Sequence, residues 1–122
     1  MIERYSRKEI KNIWEDHNRY SLWLDIELAA AEAMEKFKII PKGVVKKVKS
    51  KAKINPKRIL QIEGKVKHDI IAFLTSITER VGKEAKYLHK GMTSSDVLDT
   101  CFNLQLKQSG EILLKDINQL LK

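Results

Sequence analysis

Cysteine is almost absent. Cys101 is the one thiol in 122 residues, so no internal disulfide can form, and a reducing cytoplasm is the expected compartment. Apolar runs are short, and none approaches the ~20 residues that span a bilayer. The opening Met1-Ile2-Glu3-Arg4 lacks the basic-then-apolar layout of a secretory leader. There is no glycine-rich phosphate loop, no dinucleotide fingerprint and no Gly-x-Ser-x-Gly elbow. The three histidines, His17, His68 and His89, are too scattered, and Cys101 too isolated, to suggest a metal centre. Sustained apolar–polar alternation, the signature of a half-buried strand, occurs nowhere.

What is present is charge and helix punctuation. The chain is 43% hydrophobic and 33% charged, a balance that supports a folded core at this length. Its formal charge of +8 is uneven. Residues 35–67 hold twelve lysines and arginines against two acids, a net of +10, so the remainder carries −2. A basic block invites a nucleic-acid reading. However, the block has no aromatic for base stacking except Phe37, and no zinc-finger spacing or Gly-aromatic RNA motif. A solvated lysine face is the preferred expectation.

The pattern predicts an all-α chain. Ser6 and Glu9 have capping-box spacing and start a short helix burying Ile10, Ile13 and Trp14. A second helix carries Trp23, Ile26, Ala30, Ala33, Met34 and Phe37 on its apolar face and ends before Pro41. Pro41 fits the first turn of a lysine-rich helix around Val44, Val45 and Val48. Asn55-Pro56 reads as a cap and first helical residue. Ile59, Ile62, Val66, Ile70, Phe73, Leu74, Ile77 and Val81 then form one stripe closed by Gly82, with a break expected between Gly64 and Asp69. Thr93 and Asp96 make a second capping box.

The helix after Thr93 is apolar on several faces and meets no stop signal before Lys122, as expected of a bundle helix cut within its length. The expected organisation is therefore a small helical domain over residues 1–92, followed by the start of a central helical bundle over 93–122.

Two places suggest chemistry. Were residues 59–81 one helix, His68 would lie about 180° from Ile59 and Ile77, off the apolar stripe. It then faces water or a cleft, where Asp69 can orient the imidazole and Lys67 adds charge for an anionic ligand. An exposed histidine without a role is the plainer alternative. The stretch Thr93-Ser94-Ser95-Asp96 is first of all a helix cap. The same helix amino terminus, with its free N–H groups and neighbouring hydroxyls, suits a carboxylate or phosphate. His89, four residues before Thr93, is a further candidate near that site. His17, in a charged stretch, is expected at the surface or at a helix boundary. The residues alone describe an anion-binding helical domain.

The string Lys67-His68-Asp69-Ile70-Ile71-Ala72-Phe73, then Glu79, then Leu88-His89-Lys90-Gly91-Met92 before Thr93-Ser94-Ser95-Asp96, resembles the adenylosuccinate lyases. These belong to the fumarase and argininosuccinate lyase superfamily. So do Arg4-Tyr5-Ser6, Ile13-Trp14, Trp23-Leu24-Asp25-Ile26-Glu27 and Ile40-Pro41, in the same order. The resemblance implies an amino-terminal portion of a homotetramer with a central bundle of long helices, each active site drawing on three subunits. It implies elimination of fumarate from adenylosuccinate, giving AMP, and from the succinyl-carboxamide ribotide of purine synthesis. Neither cofactor nor metal is implied.

Carried over residue by residue, Arg4 and Tyr5 would contact the substrate phosphate. Lys67, His68 and Asp69 would form a substrate-binding block with His68 catalytic, and Thr93 and Ser94 would hold the succinyl end. Ser95 and His89 match less firmly. The family's catalytic serine loop and second histidine would fall beyond residue 122, so these residues alone should be inactive. A lactonising enzyme or another lyase of the superfamily shares a Thr-Ser-x-Asp-like element, but Arg4-Tyr5 and Lys67-His68-Asp69 favour the first family. The alternative from a different class is a non-catalytic basic helical domain that binds nucleic acid.

Overall fold

The computed structural model describes residues 2–122. Among them lie six α-helices: α1 (Lys8–Ile13), α2 (Asp16–Lys36), α3 (Val44–Lys51), α4 (Pro56–Val66), α5 (Asp69–Val81) and α6 (Ser94–Leu120). Two 3-10 turns, Glu3–Tyr5 and Lys83–Tyr87, complete the described elements, and no strand occurs among them. The all-α expectation holds. No helix among the described residues is long and apolar enough to cross a membrane.

The core forms where α2 and α5 meet over α3, α4 and the first turns of α6. Tyr20 and Trp23 of α2 meet edge-to-face at 5.1 Å, and Trp23 meets Phe73 of α5 the same way at 5.5 Å. All three rings are buried, and such pairs add about 0.5–1.5 kcal/mol each beyond the area they remove from water. Val44, Val45 and Val48 bury the inner side of α3 as expected. The outer side carries Lys46, Lys47, Lys49 and Lys51 toward solvent, with Lys47 paired to Glu84 at 3.0 Å.

The break in the long apolar stripe is real and sits at Lys67-His68 rather than at Gly64, which stays helical. Lys67 adopts a left-handed backbone, φ 56°, and ends α4; His68 is extended and begins α5. Turning there folds α4 back on α5, so Ile59 and Ile62 face Ile70, Phe73 and Ile77 across one core. Val66, beside the turn, is exposed. Arg58 and Glu79 brace the outside of the pair through two hydrogen bonds of 3.0 and 2.6 Å. The guanidinium holds the Glu79 carboxyl below its ordinary value of 4.5. Asn55 caps α4 by accepting from the Arg58 N–H at 3.2 Å, ahead of Pro56 at the first helical position.

Several local expectations are corrected. Ser6 does not cap α1: residues 3–5 form a 3-10 turn, and the Ser6 hydroxyl donates backwards to the Ile2 carbonyl at 2.7 Å. The helix begins after Arg7, with no side-chain cap. Of Ile10, Ile13 and Trp14, only Ile13 is buried; Trp14 lies past the helix end and stands against Phe102 of α6. The buried face of α2 is Tyr20, Trp23, Glu27, Leu28 and Ala31. Ala33 and Phe37 lie about 200° and 240° further round than Ala31 and face outward.

That helix stops at Lys36, well before Pro41. Lys38 turns left-handed, φ 60°, and the Ile39 and Lys38 amides donate to the Met34 and Glu35 carbonyls at 2.9 and 3.1 Å. This is a Schellman closure with lysine where glycine is usual. Pro41 precedes α3 rather than opening it; Gly43, φ 92°, is the residue before its first turn.

The last helix divides in two. Its first half docks Val97, Cys101 and Gln105 against α1 and α2. Gln105 is buried yet satisfied, because its amide donates to the Ile13 carbonyl at 2.7 Å. Burial also pushes the Cys101 thiol above its ordinary range. Beyond Leu106 only Ile112 among the apolar residues is partly buried; Leu113, Leu114, Ile117, Leu120 and Leu121 are all exposed.

Candidate functional site

The Lys67–Asp69 corner is a solvent-facing turn. His68 is exposed, and its Nδ1 accepts from the Ile71 N–H at 3.4 Å as the cap of α5. The same Nδ1 lies 3.4 Å from Asp69 Oδ1, which itself accepts from the Ile70 N–H at 2.7 Å. These two roles of Nδ1 need different protonation. A neutral ring with its proton on Nε2 caps the helix, whereas a doubly protonated ring donates from Nδ1 to Asp69. In both, Nε2 carries a hydrogen. The exposed corner can therefore offer a hydrogen bond to a ligand, beside the exposed Lys67.

The second place is the start of α6. Thr93 and Asp96 form the expected capping box, with the Thr93 N–H donating to Asp96 at 2.8 Å. Ser94 is the first helical residue and partly exposed. A helix of 27 residues presents its unpaired first-turn amides and partial positive charge here. The geometry suits an anionic group.

Arg4 and Tyr5 lie in the first 3-10 turn, with the guanidinium 4.8 Å above the Tyr5 ring. Tyr5 is exposed. Among the described residues, no hydrogen bond or ion pair joins Arg4–Tyr5, the Lys67–Asp69 corner and Thr93–Ser94 to one another. His17 is exposed near the start of α2. Also among the described residues, no cluster of three His, Cys, Asp or Glu side chains could hold a metal ion.

One participant was missed by sequence reasoning. Glu27 is buried on the core face of α2, and both its oxygens meet His89. One accepts the His89 N–H at 2.6 Å and the other meets the ring Nδ1 at 2.6 Å. A signal existed: Glu27 stands four residues after Trp23 and four before Ala31, an acid in the middle of a buried stripe. Acids are almost never fully buried without a partner.

Over all its 122 residues, the chain is 46% identical to the adenylosuccinate lyase of Synechocystis sp., and it spans 28% of that protein's length. The likeness to that lyase thus runs through every part of the chain. Its backbone is similar to the crystal structure of a fumarate lyase from Mesorhizobium sp. BNC1, with a TM-score of 0.84 at 21% identity. That match covers 93% of this chain and 27% of the other, and at that identity it carries the fold alone. No family model matches the chain.

Proposed function

We propose that this chain is the amino-terminal part of an adenylosuccinate lyase, which eliminates fumarate from adenylosuccinate and from the succinyl-carboxamide ribotide. The observation that carries the reading is the 46% identity sustained over every residue of the chain. In the reaction a base takes a proton from the carbon beside a carboxylate, the C–N bond breaks, and an acid protonates the departing nitrogen. His68 serves as that acid in its doubly protonated form, or orients the group that does through its Nε2–H. Lys67 and Asp69 bind and orient alongside it. Thr93 and Ser94 receive a succinyl carboxylate at the start of α6, and Arg4 and Tyr5 contact the phosphate.

The exposed apolar second half of α6 supports a site completed by other subunits. Residues 1–92 then form an amino-terminal helical domain, and residues 93–122 begin a central bundle in a homotetramer. The cytoplasm is the expected compartment, and small-molecule nucleotides are the expected substrates.

The test is an absorbance assay of the complete enzyme with each succinylated substrate. Turnover on the order of 10 per second is expected. An intact, folded enzyme that leaves both substrates unchanged overturns the reading.

A further inference from the structure

The Glu27–His89 contact is an expensive arrangement unless it does something. Glu27 is buried to 1% exposure, and a carboxylate at that depth must be fully hydrogen-bonded to be tolerated. Both of its bonds go to one residue, 62 positions away in the chain. That residue is held with φ 58°, a left-handed conformation that histidine, like asparagine and aspartate, adopts more readily than other non-glycine residues. Side chain and backbone of His89 are thus fixed together by one carboxylate.

The chemistry of the contact sets the ring. A carboxylate only accepts, so Nδ1 carries a proton, and Nε2 is the remaining polar atom. Nε2 has no hydrogen-bond partner, and it is not among the buried polar atoms left unpaired. It reaches solvent from a side chain that is 21% exposed. Two residues on, Gly91 turns with φ 70°, and the loop delivers Thr93 and Ser94 to the start of α6.

We propose that Glu27 is a positioning residue. It fixes His89 with the proton on Nδ1 and leaves Nε2, in the loop that leads into α6, free to contact an anionic oxygen of the ligand that Thr93 and Ser94 receive. The ligand in this statement rests on the lyase reading above; the hold of Glu27 on the imidazole does not. Sequence spacing could not show this, because the orienting group comes from a different helix.

The experiment is a double-mutant cycle in the complete enzyme, with Glu27→Gln, His89→Gln and both together. Glutamine keeps the size of Glu27 but offers an amide N–H to Nδ1, which drives the ring proton to Nε2. Each single variant is expected to lose about tenfold or more in kcat/KM, and the double variant to be no worse than the poorer single. Losses that multiply would show Glu27 acting through the fold or the backbone N–H alone, and would overturn the proposal. Thermal melts of all four proteins identify any variant that merely fails to fold; Glu27→Asp, which keeps the charge, should then recover part of the activity.

A second readout does not depend on turnover. With ¹⁵N-labelled histidine, the nitrogen shifts of His89 should show Nδ1 protonated in the parent protein and Nε2 protonated in Glu27→Gln. An unchanged tautomer overturns the proposal. A parent enzyme inactive on both substrates, with the tautomer change as expected, would sink the lyase reading and the ligand assignment while leaving the positioning role of Glu27 standing.

Discussion

At the scale of single residues, His68 has two jobs, and substitutions separate them. As a cap it meets the Ile71 N–H at 3.4 Å, a long bond. As a chemical group it offers Nε2 to a ligand. His68→Gln should lower kcat about a hundredfold or more in the complete enzyme and destabilise it by less than about 1 kcal/mol. His68→Asn restores a good cap without a titrating group, so it should melt normally and stay slow. Wild-type turnover in either variant would leave His68 an ordinary surface histidine.

Lys67 and Lys38 form a matched pair, since both are lysines held at φ near 60° at helix ends. Glycine relieves that conformation, so each Lys→Gly change should raise stability by up to about 1 kcal/mol in chemical melts. Only Lys67→Gly should also raise KM, because Lys67 belongs to the proposed binding corner and Lys38 does not. Equal kinetics in the two would remove Lys67 from the site.

At the scale of elements, the start of α6 joins a structural task to a binding one. Thr93 closes the capping box with Asp96, whereas Ser94 takes no part in the cap and lies partly exposed. Thr93→Ala should therefore cost ~1 kcal/mol of stability along with substrate affinity. Ser94→Ala should leave the melt unchanged and weaken binding by about 1–3 kcal/mol, the worth of a hydrogen bond to a charged group. Calorimetric melts set beside steady-state KM values distinguish the two. A Ser94→Ala enzyme with unchanged KM would confine this helix terminus to its cap.

At the scale of the whole molecule, the second half of α6 is the open question that the fold poses. Leu113, Leu114, Ile117, Leu120 and Leu121 are more than half exposed, and patches of this kind drive association. The 122-residue chain should self-associate, with its mass by light scattering rising with concentration. Replacing Leu113 and Ile117 by glutamate should abolish the rise without disturbing the core around Phe73, because neither residue reaches it. A strictly monomeric species across the series would show that this face needs no partner.

How much of this was legible beforehand follows from what each signal depends on. Helix identity, the Asn55-Pro56 start, the Thr93–Asp96 box, the buried valines of α3 and the over-apolar α6 were all written locally. Periodicity and capping act over four or five residues, and nothing distant overrode them. Ser6 was misread because its hydroxyl had a nearer acceptor in the 3-10 turn before it. The face of α2 was misread because alanines fit either side of a helix, and only the packing of Tyr20, Trp23 and Phe73 chose between them. The position of the turn at Lys67-His68 was likewise set by α4 folding back on α5. By itself, then, the sequence determined the helices, the caps at Asn55 and Thr93, and the residues that resemble a lyase site. Only the tertiary structure decided that Glu27, on α2, would reach His89 and set its proton, because a contact spanning 62 residues exists only once the helices between have packed.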